Sequence, residues 1–244
     1  MTSALASPEY RRRAVVLFSG GLSSTTCLAW AVDAFGADAV HPLSFAYGQR
    51  HSVELDCATR ITRLLGLRDT EVLPMALLHR LGGDALTDDR VALSSADNRF
   101  AAAKGLPSTF VPGRGLLFAA GAAAFAARHG ARDIVIGECG ADAAGLPEAR
   151  AEFVSATQAA LRAAFDEPFV LHAPLIEKTK AEAFALAERL GRLELVVGET
   201  HSCHVGAHTV DDRHPWGYGC GMCLACSERA SGWHRYRAAA EAAA

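Results

Sequence analysis

The 244-residue chain has no long apolar run, no strong charge of either sign and no block of lysine or arginine. Each absence removes a class of function. No apolar stretch reaches the roughly 18–20 residues that a bilayer-spanning helix needs, and residues 1–10 lack the apolar core of a secretory signal. A net charge of −3 argues against a protein that coats nucleic acid, because such proteins carry a basic excess. No internal repeat is visible. The expectation is a soluble, cytoplasmic protein with neither a nucleic-acid nor a membrane partner. The seven cysteines are odd in number and four crowd the C-terminal end, which argues against a disulfide scaffold.

Half of the residues are apolar, enough to bury one full core with a small appendage. Residues 14–18 form a short continuous apolar run. It stops at Ser19–Gly20–Gly21, and a helical pattern follows over 24–35. The alternation continues with strands expected at 39–45, 71–75, 133–137 and 169–175, and helices at 53–65, 116–128, 149–165 and 179–190. Strands alternating with helices imply a parallel sheet covered on both faces. Ligands of such sheets bind at the carboxyl ends of the strands. Segments 19–24, 47–50, 110–115 and 138 onward all lie at that edge. Residues 76–108 show little periodicity and read as a lid or a disordered loop. Residues 238–244 extend or fray a last helix.

The loop Ser19–Gly20–Gly21–Leu22–Ser23–Ser24–Thr25–Thr26 suits a pyrophosphate. Two glycines permit close backbone approach, and the helix start supplies free N–H groups and a favourable dipole. Ser19, Ser24 and Thr25 can add hydroxyl donors. The plainer alternative is a strand-to-helix turn that uses Gly and Ser for capping. No Lys follows the glycines as in a Walker A loop, and G-x-G-x-x-G is absent.

Cys203, Cys220, Cys223 and Cys226 offer four thiolates at the spacing of a structural Zn2+ site, with Gly219 and Gly221 letting the chain curl round the ion. An iron–sulfur cluster and a redox C-x-x-C pair are the competing readings. His201 and His204 flank the first thiolate. Cys27 and Cys57 fall on helix faces as small core residues. Cys139 lies at the ligand edge, where a nucleophilic role is the alternative to a packing one.

Several strings together resemble one family. The loop S-G-G-x-x-S is similar to the ATP-pyrophosphatase loop S-G-G-x-D-S. Ser44–Phe45–Ala46–Tyr47–Gly48–Gln49–Arg50–His51 resembles F-D-Y-G-Q-R-H, and Thr109–Phe110–Val111–Pro112–Gly113–Arg114 resembles F-V-P-G-R-N. The ending Thr200–His201–Ser202–Cys203, then Cys220–Gly221–Met222–Cys223–Leu224–Ala225–Cys226 with Arg229, resembles T-x-S-C … C-G-x-C-x-x-C-x-x-R. This is the pattern of the 7-cyano-7-deazaguanine synthase (QueC/ExsB) family, matched from the first strand to about Trp233. The resemblance implies an α/β fold with a Rossmann-like parallel sheet of the PP-loop ATPase (adenine nucleotide alpha hydrolase) type over residues 1–195. It implies a small C-terminal zinc-binding lobe and helix over 196–244.

It also implies an ATP-dependent C–N ligase. A 7-carboxy-7-deazaguanine carboxylate is adenylated with release of pyrophosphate, ammonia displaces AMP, and a second ATP drives loss of the amide oxygen to leave a nitrile. The implied cofactors are ATP, Mg2+ and Zn2+, and the implied assembly is a homodimer. The nucleotide would be held by Phe18, Ser19, Gly20, Gly21, Leu22, Ser23, Ser24, Thr25, Tyr47, Gln49, Arg114 and Gly137. Ser19, Ser24, Arg114 and Lys178 would serve the chemistry, the two cations as charge-assisted phosphate contacts. A solvated helix-end charge is the alternative for each cation. Glu138, Asp142, Glu148 and Arg150 would face the deazapurine.

The chain departs from the pattern at Ser23 and Ala46, where the family has Asp, at Gly115, where it has Asn, and over residues 138–150. Such changes fall on ligand-edge loops. They raise two alternatives: a relative acting on another acyl acceptor or amine, and a silent nucleotide-binding partner protein.

Overall fold

The computed structural model describes residues 12–94, 105–143 and 145–243. The expectation for residues 1–10, the middle of the 76–108 segment, Ala144 and the final residue lie outside these. Five parallel strands form the sheet: β1 (Ala14–Leu17), β2 (Val40–Ala46), β3 (Glu71–Pro74), β4 (Asp133–Val135) and β5 (Val170–His172), in the order β3-β2-β1-β4-β5. The order reverses between β1 and β4, and that switch point opens the ligand crevice of such sheets.

Period-two alternation decides which face each side chain serves. From β1, Ala14 and Val16 join one buried cluster while Val15 joins the other. The first cluster packs beneath α1 (Leu22–Phe35), α2 (Val53–Leu64), α6 (Lys180–Arg189), α7 (Leu193–Glu199) and α8 (Leu224–Ala242). The second packs beneath α4 (Arg114–Arg128) and α5 (Ala151–Phe165). On α4, Ala119, Ala122, Ala123 and Ala126 turn inward, and their small side chains let the helix lie close on Phe45 and Ile134. Cys27 and Cys57 are core residues, as expected. A Thr179–Glu182 capping box starts α6.

Three features differ from the sequence reading. Residues 76–108 are partly ordered: α3 (Ala76–Leu81) follows β3, Asp84 accepts N–H bonds from Leu86 and Thr87 at 2.9 and 3.0 Å, and Ser94 and Ser108 bond each other's amides at 2.8 Å. The helix α7 and the small hairpin β6 (Arg213–His214) with β7 (Gly217–Tyr218) were not marked by periodicity. The third is α8, which is 19 residues long and lies back along α6, with Trp233 and Tyr236 against Phe184 at ring-centroid distances of 5.2 and 6.0 Å. Among the described residues no helix is long and apolar enough to cross a membrane.

Candidate active site and metal centre

A cavity of about 320 Å³ opens at the carboxyl edge of the sheet. Its floor is the loop between β1 and α1. Gly20 sits there at φ +83, and a Cβ on it would run into the Glu54 carbonyl and stand 2.7 Å from the Ala58 nitrogen. The loop is therefore pressed onto α2 and only glycine fits. Ser19 and Ser24 hydroxyls lie 3.1 Å apart, the Ser24 hydroxyl also within reach of the Gly21 carbonyl at 3.2 Å. They flank the start of α1, whose first N–H groups have no partner within the helix. Gly137, at the end of β4, packs against Ser24, where a Cβ would come 2.9 Å from Cα.

Two cations face this floor. Lys180 heads α6 and donates to Asp142 at 2.7 Å and to Ser23 Oγ at 3.3 Å. Burial opposes its charge most, but Asp142 together with Cys139 and Glu228 outweighs burial and holds the ammonium above its ordinary value. Arg114, the first residue of α4, is paired with Glu148, which also accepts the Gly115 N–H at 3.2 Å. Here too burial is outweighed, by Glu148, Tyr47 and Glu138, and the guanidinium stays charged. Glu138 lines the cavity and receives no hydrogen bond among the described residues. Burial, then the charge of Glu148, raises its carboxyl. Glu54, on the first turn of α2, is raised by burial to about 7 against the opposing effect of Gln49 and Arg114.

The four cysteine sulfurs lie within 4.8 Å of one another, the Cys203–Cys223 and Cys220–Cys226 pairs at 3.9 and 4.0 Å. Four thiolates about 2.3 Å from a central tetrahedral ion stand about 3.8 Å apart, so the donor set and its spacing fit a closed Zn2+ site. Gly219 is required there, because a Cβ would overlap the Cys226 sulfur. Hydrogen bonds from the Cys223 and Cys226 thiols hold the Cys203 thiol far below its ordinary value. The site is tied to the phosphate loop: the His201 N–H donates to the Gly20 carbonyl at 3.0 Å. Buried Arg229 joins Trp216 O, Val196 O and Ser202 Oγ at 2.7, 3.0 and 3.0 Å.

The family model for the queuosine biosynthesis protein QueC matches residues 13–237. This chain belongs to the QueC family. It is 45% identical to the 7-cyano-7-deazaguanine synthase of Alkalilimnicola ehrlichii over 94% of this chain and 97% of that one. It is 45% identical to the synthase of Gluconacetobacter diazotrophicus over 96% of each, and 42% to that of Nitratidesulfovibrio vulgaris over 94% and 95%.

Of the residues that the sequence marks, this QueC-family structure brings Phe18, Ser19, Gly21, Leu22, Ser23, Ser24, Tyr47, Arg114, Gly137, Glu138 and Asp142 to the cavity wall. Six do not reach it. Gly20 serves the loop from behind. Thr25 is fully buried with an unpartnered hydroxyl. Gln49 is a staple rather than a ligand, accepting the Tyr47 N–H at 2.8 Å and donating to Phe45 O and Glu54 at 3.1 Å. Glu148 is spent on Arg114, and exposed Arg150 reaches the Ala143 carbonyl at 3.3 Å.

Lys178, expected as a phosphate contact, does not line the cavity. It precedes the Thr179 cap, and its carbonyl is taken by Ala141 N and the Cys139 thiol. The lysine that lines the cavity is Lys180. Cys139 is buried in the core, and burial raises its thiol, which disfavours the thiolate.

Two of the departures have local reasons. Ser23 takes a hydrogen bond from Lys180. At Gly115 a Cβ would stand 3.0 Å from Glu148 Oε2, so glycine leaves room for Glu148 to seat on the start of α4. Sequence reading missed Lys180, Glu54, His51, His204 and Arg229 as residues of the site.

Proposed function

We propose that the protein is an ATP-dependent 7-cyano-7-deazaguanine synthase that adenylates a 7-carboxy-7-deazaguanine carboxylate, amidates it with ammonia and dehydrates the amide to the nitrile. The observation that carries this reading is the convergence on one cavity of a phosphate-loop helix start, two enclosed cations and Glu138, a carboxylate with no hydrogen bond among the described residues. The high identity to three synthases, end to end, supports the same substrate over a diverged acyl acceptor. At the departing positions, Ser23 and Asp142 both bond Lys180 at the cavity, which supports activity over a silent partner role.

In the reading, N–H groups at the start of α1 with Ser19 and Ser24 hold the outer phosphates, and charge that grows on the departing pyrophosphate meets those donors. Lys180 neutralises the same charge, with Asp142 and Ser23 fixing its ammonium. Arg114, oriented by Glu148, binds the substrate carboxylate as a fork. Glu138 accepts from the ring N–H and exocyclic amine of a guanine-like edge, a pairing of two donors with one carboxylate.

Mg2+ would be carried in on ATP and neutralise charge on the phosphates. Zn2+ would be held by Cys203, Cys220, Cys223 and Cys226 and supply structure only, since all four positions are taken. Residues 196–244 act as its lobe, with α8 returning to the main body. Exposed Val72 on edge strand β3 and Leu77 and Leu81 on α3 would suit the interface of a homodimer.

The test is to incubate purified protein with ATP, Mg2+, ammonium and the 7-carboxy compound and follow the product by mass. Nitrile with AMP and pyrophosphate is the expected result. Amide without nitrile restricts the reading to its first half, and no AMP removes it.

A further inference from the structure

The ligase reading leaves one reactant without a seat. Ammonium offers only N–H donors and a positive charge, so its site needs free acceptors, a negative charge and no cation already bonded there. Asp142 is taken by Lys180 and Glu148 by Arg114, and Glu138 lies under the influence of both cations.

Glu54 is different. Its Oε1 is met by neutral groups alone, Gln49 Nε2 at 3.1 Å and His51 Nε2 at 3.6 Å. Its Oε2 receives no hydrogen bond among the described residues. The His51 and Glu54 side chains are 8% and 9% exposed, and both line the cavity. His51 Nδ1 and His204 Nδ1 are buried without a partner, with the two rings 6.0 Å apart between centroids. A proton on His51 Nε2, facing Glu54, leaves Nδ1 as a lone pair. Among the described residues, only the four cysteines close to metal-binding spacing. A small polyatomic donor therefore suits the Glu54 corner better than a bare ion.

We propose that the corner formed by His51, Glu54 and His204 is the ammonium site, with Glu54 taking the proton that frees ammonia to attack the acyl adenylate. The proposal rests on the ligase reading above. Ammonium passes one proton to the Glu54 carboxylate. The freed lone pair forms the C–N bond to the acyl carbon. The bond from that carbon to the AMP oxygen breaks, with its electron pair staying on AMP, and the second proton from nitrogen leaves with AMP. A carboxyl near pH 7 is matched to this exchange at neutral pH. Gln49, by fixing Oε1, is a positioning residue.

The test compares Glu54→Gln with wild type using two nucleophiles, ammonium and hydroxylamine, which is already unprotonated at neutral pH. The variant is expected to retain carboxylate-dependent ATP–pyrophosphate exchange and hydroxamate formation, each falling far less than the ammonium-dependent rate. Its KM for ammonium should rise, or its amide rate fall, by about tenfold or more, the scale of one charged hydrogen bond. An unchanged response to ammonium overturns the assignment, and so does an equal fall with both nucleophiles. If Glu54→Gln does not fold, His51→Asn is held to the same split. Failure of the ligase reading is distinct, because wild type itself would then show neither exchange nor hydroxamate.

Discussion

Replacing Lys180 by Met separates holding the fold from holding the phosphates. The Lys180 and Asp142 side chains are each 17% exposed and meet at 2.7 Å. Lys180→Met leaves Asp142 largely enclosed without its partner, and breaking a pair of this kind costs about 3 kcal/mol. The double variant Lys180→Met with Asp142→Asn leaves no uncompensated charge, so its stability should return to within ~1 kcal/mol of wild type. Activity should not return. Lys180 contributes one or two charge-assisted bonds to the leaving pyrophosphate, and their loss slows ATP–pyrophosphate exchange by about 100-fold in single and double variants alike. Urea denaturation gives the stabilities and isotope exchange the rates. If the double variant recovers exchange together with stability, Lys180 is only a strut and the assignment of its role is wrong.

Three further outcomes follow from the same geometry. Gly20→Ala forces a side chain onto the α2 backbone at positive φ; it should cost at least ~1–3 kcal/mol in denaturant and abolish ATP binding. The Glu54 carboxyl is raised in the folded state from 4.5 to about 7, so the native protein holds a proton that the unfolded chain releases. Stability from this group is present at low pH and lost as pH climbs through 7, and Glu54→Gln should unfold at higher urea than wild type at pH 8 but not at pH 4.5. Chelation of the bound metal, followed by metal analysis and ATP titration, should weaken ATP binding about threefold to tenfold. The reason is that the Cys203 loop fixes the His201–Gly20 hydrogen bond, worth about 0.5–1.5 kcal/mol.

The fold was largely legible because β1 is a continuous apolar run and helices such as α4 and α6 carry their apolar residues on the face they bury. The site was legible where glycines, serines and cysteines stand at motif spacing. It was misread where a charged residue opens an apolar stripe. On α2, Glu54 heads the stripe Cys57, Ala58 and Ile61, and on α6, Lys180 heads Ala183, Phe184 and Ala187. Residues three and four apart share a face, so a charge at the stripe's first position is carried inward at the carboxyl edge of the sheet. That signal was in the sequence and distinguishes Lys180 from Lys178, which precedes the helix. The return of α8 onto α6 could not be read in advance. Its polar composition hides the face that Trp233 and Tyr236 bury, and only contact with Phe184 reveals it.

The central claim is that the loop at Ser19 lets a bound carboxylate take AMP from ATP. The most direct measurement is exchange of labelled pyrophosphate into ATP in the presence and absence of 7-carboxy-7-deazaguanine, with ammonium omitted. The account predicts exchange only when the carboxylate is present. Metal-loaded, folded protein that binds ATP yet exchanges no label with that carboxylate would contradict it.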